Sequence, residues 1–131
     1  MLNAAVIGMG VGQKHALAYK NHESCKLKSI CDFDKNKIFE LKKQFPDTDI
    51  FFSDNKIFED KEIDIVSIAS YDDYHFEQVL KAISNGQHIM AEKPLCLNEK
   101  EMLKIYSTYS QCLNVKLSGN FVLRTNSRFI K

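Results

Sequence analysis

Gly8-Met9-Gly10-Val11-Gly12 lies between a short apolar run and a helix-forming stretch, a placement suited to binding a diphosphate. Gly8 permits a tight turn, and Gly10 removes a side chain that would keep a phosphate away from backbone N–H groups at a helix N-terminus. The usual spacing is G-x-G-x-x-G, whereas here the third glycine comes one residue early. Either Gly12 takes the third role in a shortened loop, or something else fills it. Glycine turns also occur in parallel sheets that bind no ligand, so the turn alone does not decide the matter. Asp32 does more. It follows Gly10 by 22 residues, at the expected end of the second strand, where a carboxylate accepts from both hydroxyls of a ribose. A helix cap is the alternative role, but Asp34 already stands where that cap is needed. A carboxylate at position 32 would repel the extra phosphate of NADP, and Phe33 is no arginine to receive it, so NAD is favoured over NADP.

A third group, Ala91-Glu92-Lys93-Pro94-Leu95, directly follows the expected fifth strand. Open parallel sheets bind ligands at the carboxyl ends of their strands. Pro94 biases Lys93 away from helical angles, which suits an ammonium held out toward that edge. A lysine in a solvated turn is the alternative.

The elements that must position these groups follow from periodicity. Ala4-Ala5-Val6-Ile7 is a continuous apolar run, as expected of a strand covered on both faces. A helix is expected over 13–21, a strand over 27–31, and then a helix capped by Asp34 with Ile38, Leu41 and Phe45 inward. Residues 49–52 read as a third strand, 56–59 as a short helix and 64–69 as a β-branched core strand. Beyond an Asp72-Asp73 cap, Phe76, Val79, Leu80 and Ile83 fall at i, i+3, i+4 and i+7, and Asn85-Gly86 stops the helix. Residues 88–91 form the fifth strand. Asn98 and Glu101 begin a helix whose apolar face is Met102, Ile105, Tyr106 and Tyr109, and 115–122 is a sixth strand. Strands alternating with helices over short connections predict a doubly wound α/β fold, a parallel six-stranded Rossmann sheet in order 3-2-1-4-5-6 between two helical layers.

The Glu-Lys-Pro segment, the glycine turn with His15 downstream, the run Ile68-Ala69-Ser70-Tyr71-Asp72-Asp73-Tyr74-His75 and Gly86-Gln87-His88-Ile89 together resemble one family. It is the oxidoreductase family named for glucose–fructose oxidoreductase, inositol dehydrogenase and rhizopine catabolism proteins. The resemblance covers the family's N-terminal cofactor domain. It implies cofactor contacts from Gly8, Met9, Gly10, Val11, Gly12, Asp32, Phe33, Ala69, Ser70, Tyr71, His75, Glu92, Lys93 and Pro94. It also implies that Lys93 binds the reacting hydroxyl or ketone of a sugar-like substrate, where a cation stabilises developing alkoxide as hydride leaves. His75 is expected to shape the pocket or contact cofactor rather than transfer protons, and His15 to be a helix-packing residue rather than a ligand. Tyr71 stands where relatives often carry proline. Relatives continue into a second domain that supplies most substrate contacts and the main acid–base group. On this reading residues 1–120 form the dinucleotide-binding domain and 121–131 lead into that second domain. Two other readings stay open: an enzyme that uses tightly held NAD for transient oxidation, and a module that senses NAD(H) without catalysis.

The bulk composition agrees with a soluble globular domain, 44% hydrophobic and 27% charged, long enough to build a core without disulfide or metal staples. Eighteen basic residues balance 17 acidic ones and the lysines are dispersed, which argues against a nucleic-acid partner. Cys25, Cys31, Cys96 and Cys112 form no C-x-x-C pair and have no histidine at metal-ligand spacing, so no metal site is expected. No apolar stretch approaches the roughly 20 residues that span a bilayer, and no leader is evident. The expected compartment is the cytosol, and self-association into a homo-oligomer is left open.

Overall fold

Ala4, Ala5, Val6 and Ile7 are wholly excluded from solvent, as a strand flanked by helices on both faces requires. They form the centre of β1 (Leu2–Ile7), and the computed structural model describes residues 1–125 and Arg128. After β1 come α1 (Gly12–Asn21), β2 (Cys25–Cys31), a 3-10 turn (Lys35–Lys37), α2 (Ile38–Gln44) and β3 (Asp49–Phe51). The chain continues through α3 (Asn55–Glu59), β4 (Ile65–Ile68), α4 (Asp72–Ser84), β5 (His88–Ala91), α5 (Glu99–Tyr109) and β6 (Leu117–Gly119). All strand pairs are parallel, and the order is β3-β2-β1-β4-β5-β6, as predicted.

Each face of the sheet has its own core. Val6, Leu27 and Ile30 meet Ala16 of α1 and Leu41 of α2 on one side. Ile7, Val66, Ile68 and Ile89 meet Ile57 of α3, Val79 and Ile83 of α4 and Ile105 of α5 on the other. The order reverses between β1 and β4, so the carboxyl ends of these two strands flank the crevice where such folds take ligands. Because α1 and α2 cover the β1–β3 side, a depression of about 690 Å³ remains on the same face over β4, β5 and β6. It lies along the strands rather than at their ends and is bordered by Leu2, Ile65 and Met90.

Several boundaries differ from expectation. The sixth strand is shorter. Phe121 folds back so closely that a Cβ on Gly119 would meet its ring at 2.5 Å, and the chain turns into a 3-10 segment (Val122–Thr125). Asp34 caps the 3-10 turn before α2, accepting the Asn36 amide at 3.0 Å, instead of capping α2 directly. Asp72 and Asp73 occupy the first turn of α4, and Tyr71 holds the N-cap position. The acids still sit at the positive end of the helix dipole. On α5, Ile105 is buried and Tyr109 half-buried, but Met102 and Tyr106 face outward because α5 packs near the β6 edge on a narrower stripe. Gly86 takes φ +73°, the left-handed stop expected after α4. Of the segment expected to lead onward, residues 126, 127 and 129–131 lie outside the described residues.

Candidate functional site

The glycine turn divides its labour in a way the structure makes plain. Gly8 has φ +86°, and a Cβ there would lie 2.3 Å from the Ala69 carbonyl oxygen, so only glycine fits between β1 and the loop after β4. Gly12 resolves the question of the third glycine. A Cβ on it would sit 2.9 Å from Val6 Cγ1 and 3.3 Å from Ala69 Cβ, so it lets α1 pack closely on the sheet despite the shortened loop. Gly10 is different: nothing lies within 4 Å of its Cβ position, and the residue lines a cavity. Val11 is the N-cap of α1 and Gly12 its first residue, where a helix leaves its first N–H groups without intrahelical acceptors.

Asp32 is 8% exposed and locks onto this turn. Its Oδ2 accepts the Met9 amide at 2.8 Å, and its Oδ1 accepts the Asp34 amide at 2.9 Å. Lys37 donates to the same Oδ2 at 3.0 Å. Burial works against the charge on Asp32, but the Asp34 amide, the Lys37 ammonium and the Met9 amide outweigh it and hold the carboxyl below its ordinary value. Lys37 was not anticipated. The sequence offers Phe33 beside Asp32, yet the 3-10 turn swings a cation from five residues downstream back onto the carboxylate.

Gly8, Met9, Gly10, Val11, Asp32, Phe33, Ala69, Ser70 and Tyr71 all line one cavity of about 250 Å³, together with Asp34 and Lys37. That volume suits a pyrophosphate and the adjoining ribose better than a whole dinucleotide. Phe33 and Tyr74 pair at 5.3 Å between ring centroids near its outer end. Beneath the loop after β4 runs a polar chain that sequence spacing did not reveal. Ser70 donates to Gln78 Oε1 at 2.6 Å, and Gln78 Nε2 donates to Asp54 Oδ2 at 2.8 Å. It fixes Ser70 at the cavity wall from α4 and the turn before α3.

The remaining candidates gather one strand away. Lys93 is exposed, and the Lys93–Pro94 peptide is cis. Glu92 turns inward: its Oε1 accepts from His15 Nε2 at 2.9 Å and from Asn120 Nδ2 at 2.7 Å. Burial opposes its charge as well, and the Asn120 and His15 bonds hold the carboxyl below its ordinary value. His15 Nδ1 lies 3.2 Å from Ser67 Oγ, which is itself 2.9 Å from the Tyr19 hydroxyl. His15 therefore ties α1 to β4 and to the segment that carries Lys93. His75 is fully buried, with Nδ1 donating to the Pro94 carbonyl at 2.7 Å and Nε2 3.1 Å from the Ser70 carbonyl. It joins the two loops from behind and lies outside the lining of the cavity.

The cysteines are free thiols, and burial with nearby Asp54 and Asp32 pushes Cys31 up to about 12, far from a reactive thiolate. Among the described residues no group of His, Cys, Asp or Glu could hold a metal ion. Among the described residues no helix is long and apolar enough to cross a membrane.

Comparisons with known proteins agree with this geometry. Residues 2–117 match the profile of an oxidoreductase family with an NAD-binding Rossmann fold. The chain is 34% identical over 109 residues to an uncharacterized oxidoreductase from Synechocystis, covering 80% of this chain and 29% of that protein. It is 29% identical over 98 residues to a myo-inositol 2-dehydrogenase from Thermotoga maritima, covering 74% and 29% respectively. Its fold matches that of a scyllo-inositol dehydrogenase from Lactobacillus casei with bound NAD(H) and scyllo-inositol. That match has a TM-score of 0.87 at 22% identity, covering 97% of this chain and 38% of the other. The chain thus spans less than two fifths of the length of these proteins.

Proposed function

The chain belongs to the oxidoreductase family with an NAD-binding Rossmann fold, and on that premise we propose that its crevice holds NAD for hydride transfer at a CH–OH or ketone carbon of a sugar, nucleotide sugar or polyol. One observation carries the reading: a buried carboxylate, Asp32, is anchored to the glycine turn by the Met9 amide and faces the cavity at the strand ends. The open space at Gly10 beside it is what a phosphate would need. In this assignment the turn from Gly8 to Gly12 holds the pyrophosphate, Asp32 accepts from the ribose, and Phe33, Ala69, Ser70 and Tyr71 form the walls. Glu92 and Pro94 hold the neighbouring segment in place, and His75 supports it from beneath.

NAD, when bound, supplies the hydride acceptor. Lys93 is assigned to the substrate oxygen, where its positive charge stabilises negative charge developing on that oxygen. His15 and Asn120 keep Glu92 engaged, so the exposed Lys93 projects from a fixed base. Residues 121–131 are assigned as the lead-in to a substrate domain, with the main acid–base group beyond this chain. The setting proposed is the cytosol.

Titration of the full chain with NADH tests the core of this assignment. Saturable binding is expected, with at least a tenfold loss in Asp32→Ala and in Gly10→Val while both variants keep the circular dichroism of the parent. Binding unchanged in both would overturn it. Robust sugar or inositol dehydrogenase activity from these 131 residues alone would overturn the placement of substrate chemistry beyond them.

A further inference from the structure

The main chain that carries Lys93 is gripped on both flanks while its side chain stays exposed. On one flank, the Glu92 carboxylate that takes His15 and Asn120 also accepts the backbone N–H of Lys93. On the other, the Pro94 carbonyl accepts from His75 at 2.7 Å. The two grips differ in kind. His75 is wholly buried and meets backbone oxygens alone. His15 meets an acid on one ring nitrogen and a hydroxyl on the other, and its side chain and that of Glu92 are 12% and 14% exposed.

A hydroxyl both donates and accepts, so the run Tyr19–Ser67–His15–Glu92 is satisfied in either protonation state of the ring. With neutral His15 carrying its proton on Nε2, Tyr19 donates to Ser67, Ser67 donates to Nδ1, and Nε2 donates to Glu92. With the imidazolium, Nδ1 donates to Ser67, which turns its own proton to the Tyr19 oxygen. Tyr19 borders the depression over β4, β5 and β6, where water accepts its hydroxyl proton. Only the bond to Glu92 changes in character, becoming an ion pair between two charged groups at 2.9 Å. Histidine is the side chain that changes charge between about pH 5 and 8. Burial opposes the Glu92 charge, but the Asn120 and His15 bonds hold its carboxyl below the ordinary value, so it stays ionised across that range. The other titratable groups beside His15 in the depression are Lys14 and Tyr19 on α1, His88 on β5 and Lys116 before β6. Of these, His88 is engaged elsewhere, its Nδ1 accepting the Lys116 amide at 3.1 Å.

We propose that His15 is a positioning residue for Lys93: its proton clamps Glu92, and the clamped carboxylate fixes the Lys93 backbone from which the ammonium projects. The imidazolium holds that arrangement, and the neutral ring relaxes it. The role rests on the assignment above, in which the crevice takes a dinucleotide and Lys93 meets the substrate oxygen.

An NMR titration of the full chain without cofactor, between about pH 5 and 8, reads the His15 ring and the Lys93 backbone amide together. Both are expected to shift with one midpoint. Hydrogen exchange at the Lys93 amide, corrected for its intrinsic pH dependence, is expected to be about fivefold slower on the acid side of that midpoint. His15→Gln keeps a donor but cannot titrate, and is expected to abolish the step at Lys93. His88→Gln is expected to preserve it. A Lys93 amide that ignores the His15 midpoint in the parent, or a step that survives His15→Gln, overturns the role of His15 and leaves the dinucleotide site standing. The parent alone decides this where a variant does not fold. NADH titrated into the same chain reads the other assignment: if it does not bind, the dinucleotide reading falls and the positioning role falls with it.

Discussion

At the glycine-turn end of the crevice, Asp32 is held by amides 23 and two residues away, whereas at the Lys93 end Glu92 is held by His15 and Asn120, 77 and 28 residues away. The first arrangement is built from backbone donors of one strand–turn–helix unit. Both amides lie close to the carboxyl ends of β1 and β2, and Lys37 joins them from the 3-10 turn that follows. The second is built from side chains on α1, the segment after β5 and the residue after β6. It exists only once the whole sheet has closed in order. The two carboxylates therefore depend on different lengths of chain, even though both lie beyond the carboxyl ends of strands in one sheet.

The largest effect expected from breaking this contrast lies in the turn itself. Gly8→Ala places a Cβ 2.3 Å from a backbone oxygen at φ +86°, so a loss of about 3 kcal/mol or more in urea denaturation is expected. Gly10→Ala enters open space and should cost less than about 1 kcal/mol. Equal losses at both positions would show that the turn is uniformly packed and has no open phosphate position.

The Lys93 end offers an intermediate effect. His75→Ala removes a fully buried ring and leaves the Pro94 carbonyl without its donor, which should cost about 2–4 kcal/mol. Lys93→Ala, at an exposed side chain, should stay within about 0.5 kcal/mol of the parent. Thermal denaturation of the two variants side by side checks the difference. A destabilising Lys93→Ala would mean that this lysine is structural.

Acid should act on both ends, and more weakly. Asp32 and Glu92 both have folded-state values below their ordinary ones, held there by hydrogen bonds despite burial. For such groups the stabilisation is fully present above the unfolded-state values, about 4, and is lost as pH falls through the lower folded-state values. Urea midpoints measured downward from pH 5 should therefore fall in the parent and fall less steeply in Asp32→Asn and Glu92→Gln. The Asp32 variant is expected to flatten the slope more, because its carboxylate has an ammonium as well as amides to lose. Parallel slopes in all three proteins would remove these carboxylates from the acid response.

Much of this architecture was legible from local pattern. The apolar run at residues 4–7, the i, i+3, i+4, i+7 face of α4 and the stop at Gly86 each answer to short-range sterics, and the sheet order follows from alternating elements with short connections. Asp32 was legible for the same reason, since strand, turn and helix lengths leave little freedom in where it lands. Lys37 was hidden because its position depends on a 3-10 turn where a regular helix start was expected. The Ser70–Gln78–Asp54 chain joins residues eight and 24 apart on elements whose mutual packing no periodicity encodes. The outward Met102 and Tyr106 of α5 mark a similar boundary, because helical spacing defines a stripe without saying how wide a neighbour will cover it.

The amino-acid sequence by itself determined the doubly wound class, the turn at Gly8 to Gly12 and the acid that faces it, because those depend on backbone sterics and on side-chain period within some thirty residues. Only the tertiary structure decided that Gly12 serves close packing, that Lys37 shares Asp32 with the turn, and that His15 and Asn120 converge on Glu92. Those contacts arise where separate elements meet, and their distances are set by how the helices seat on the sheet.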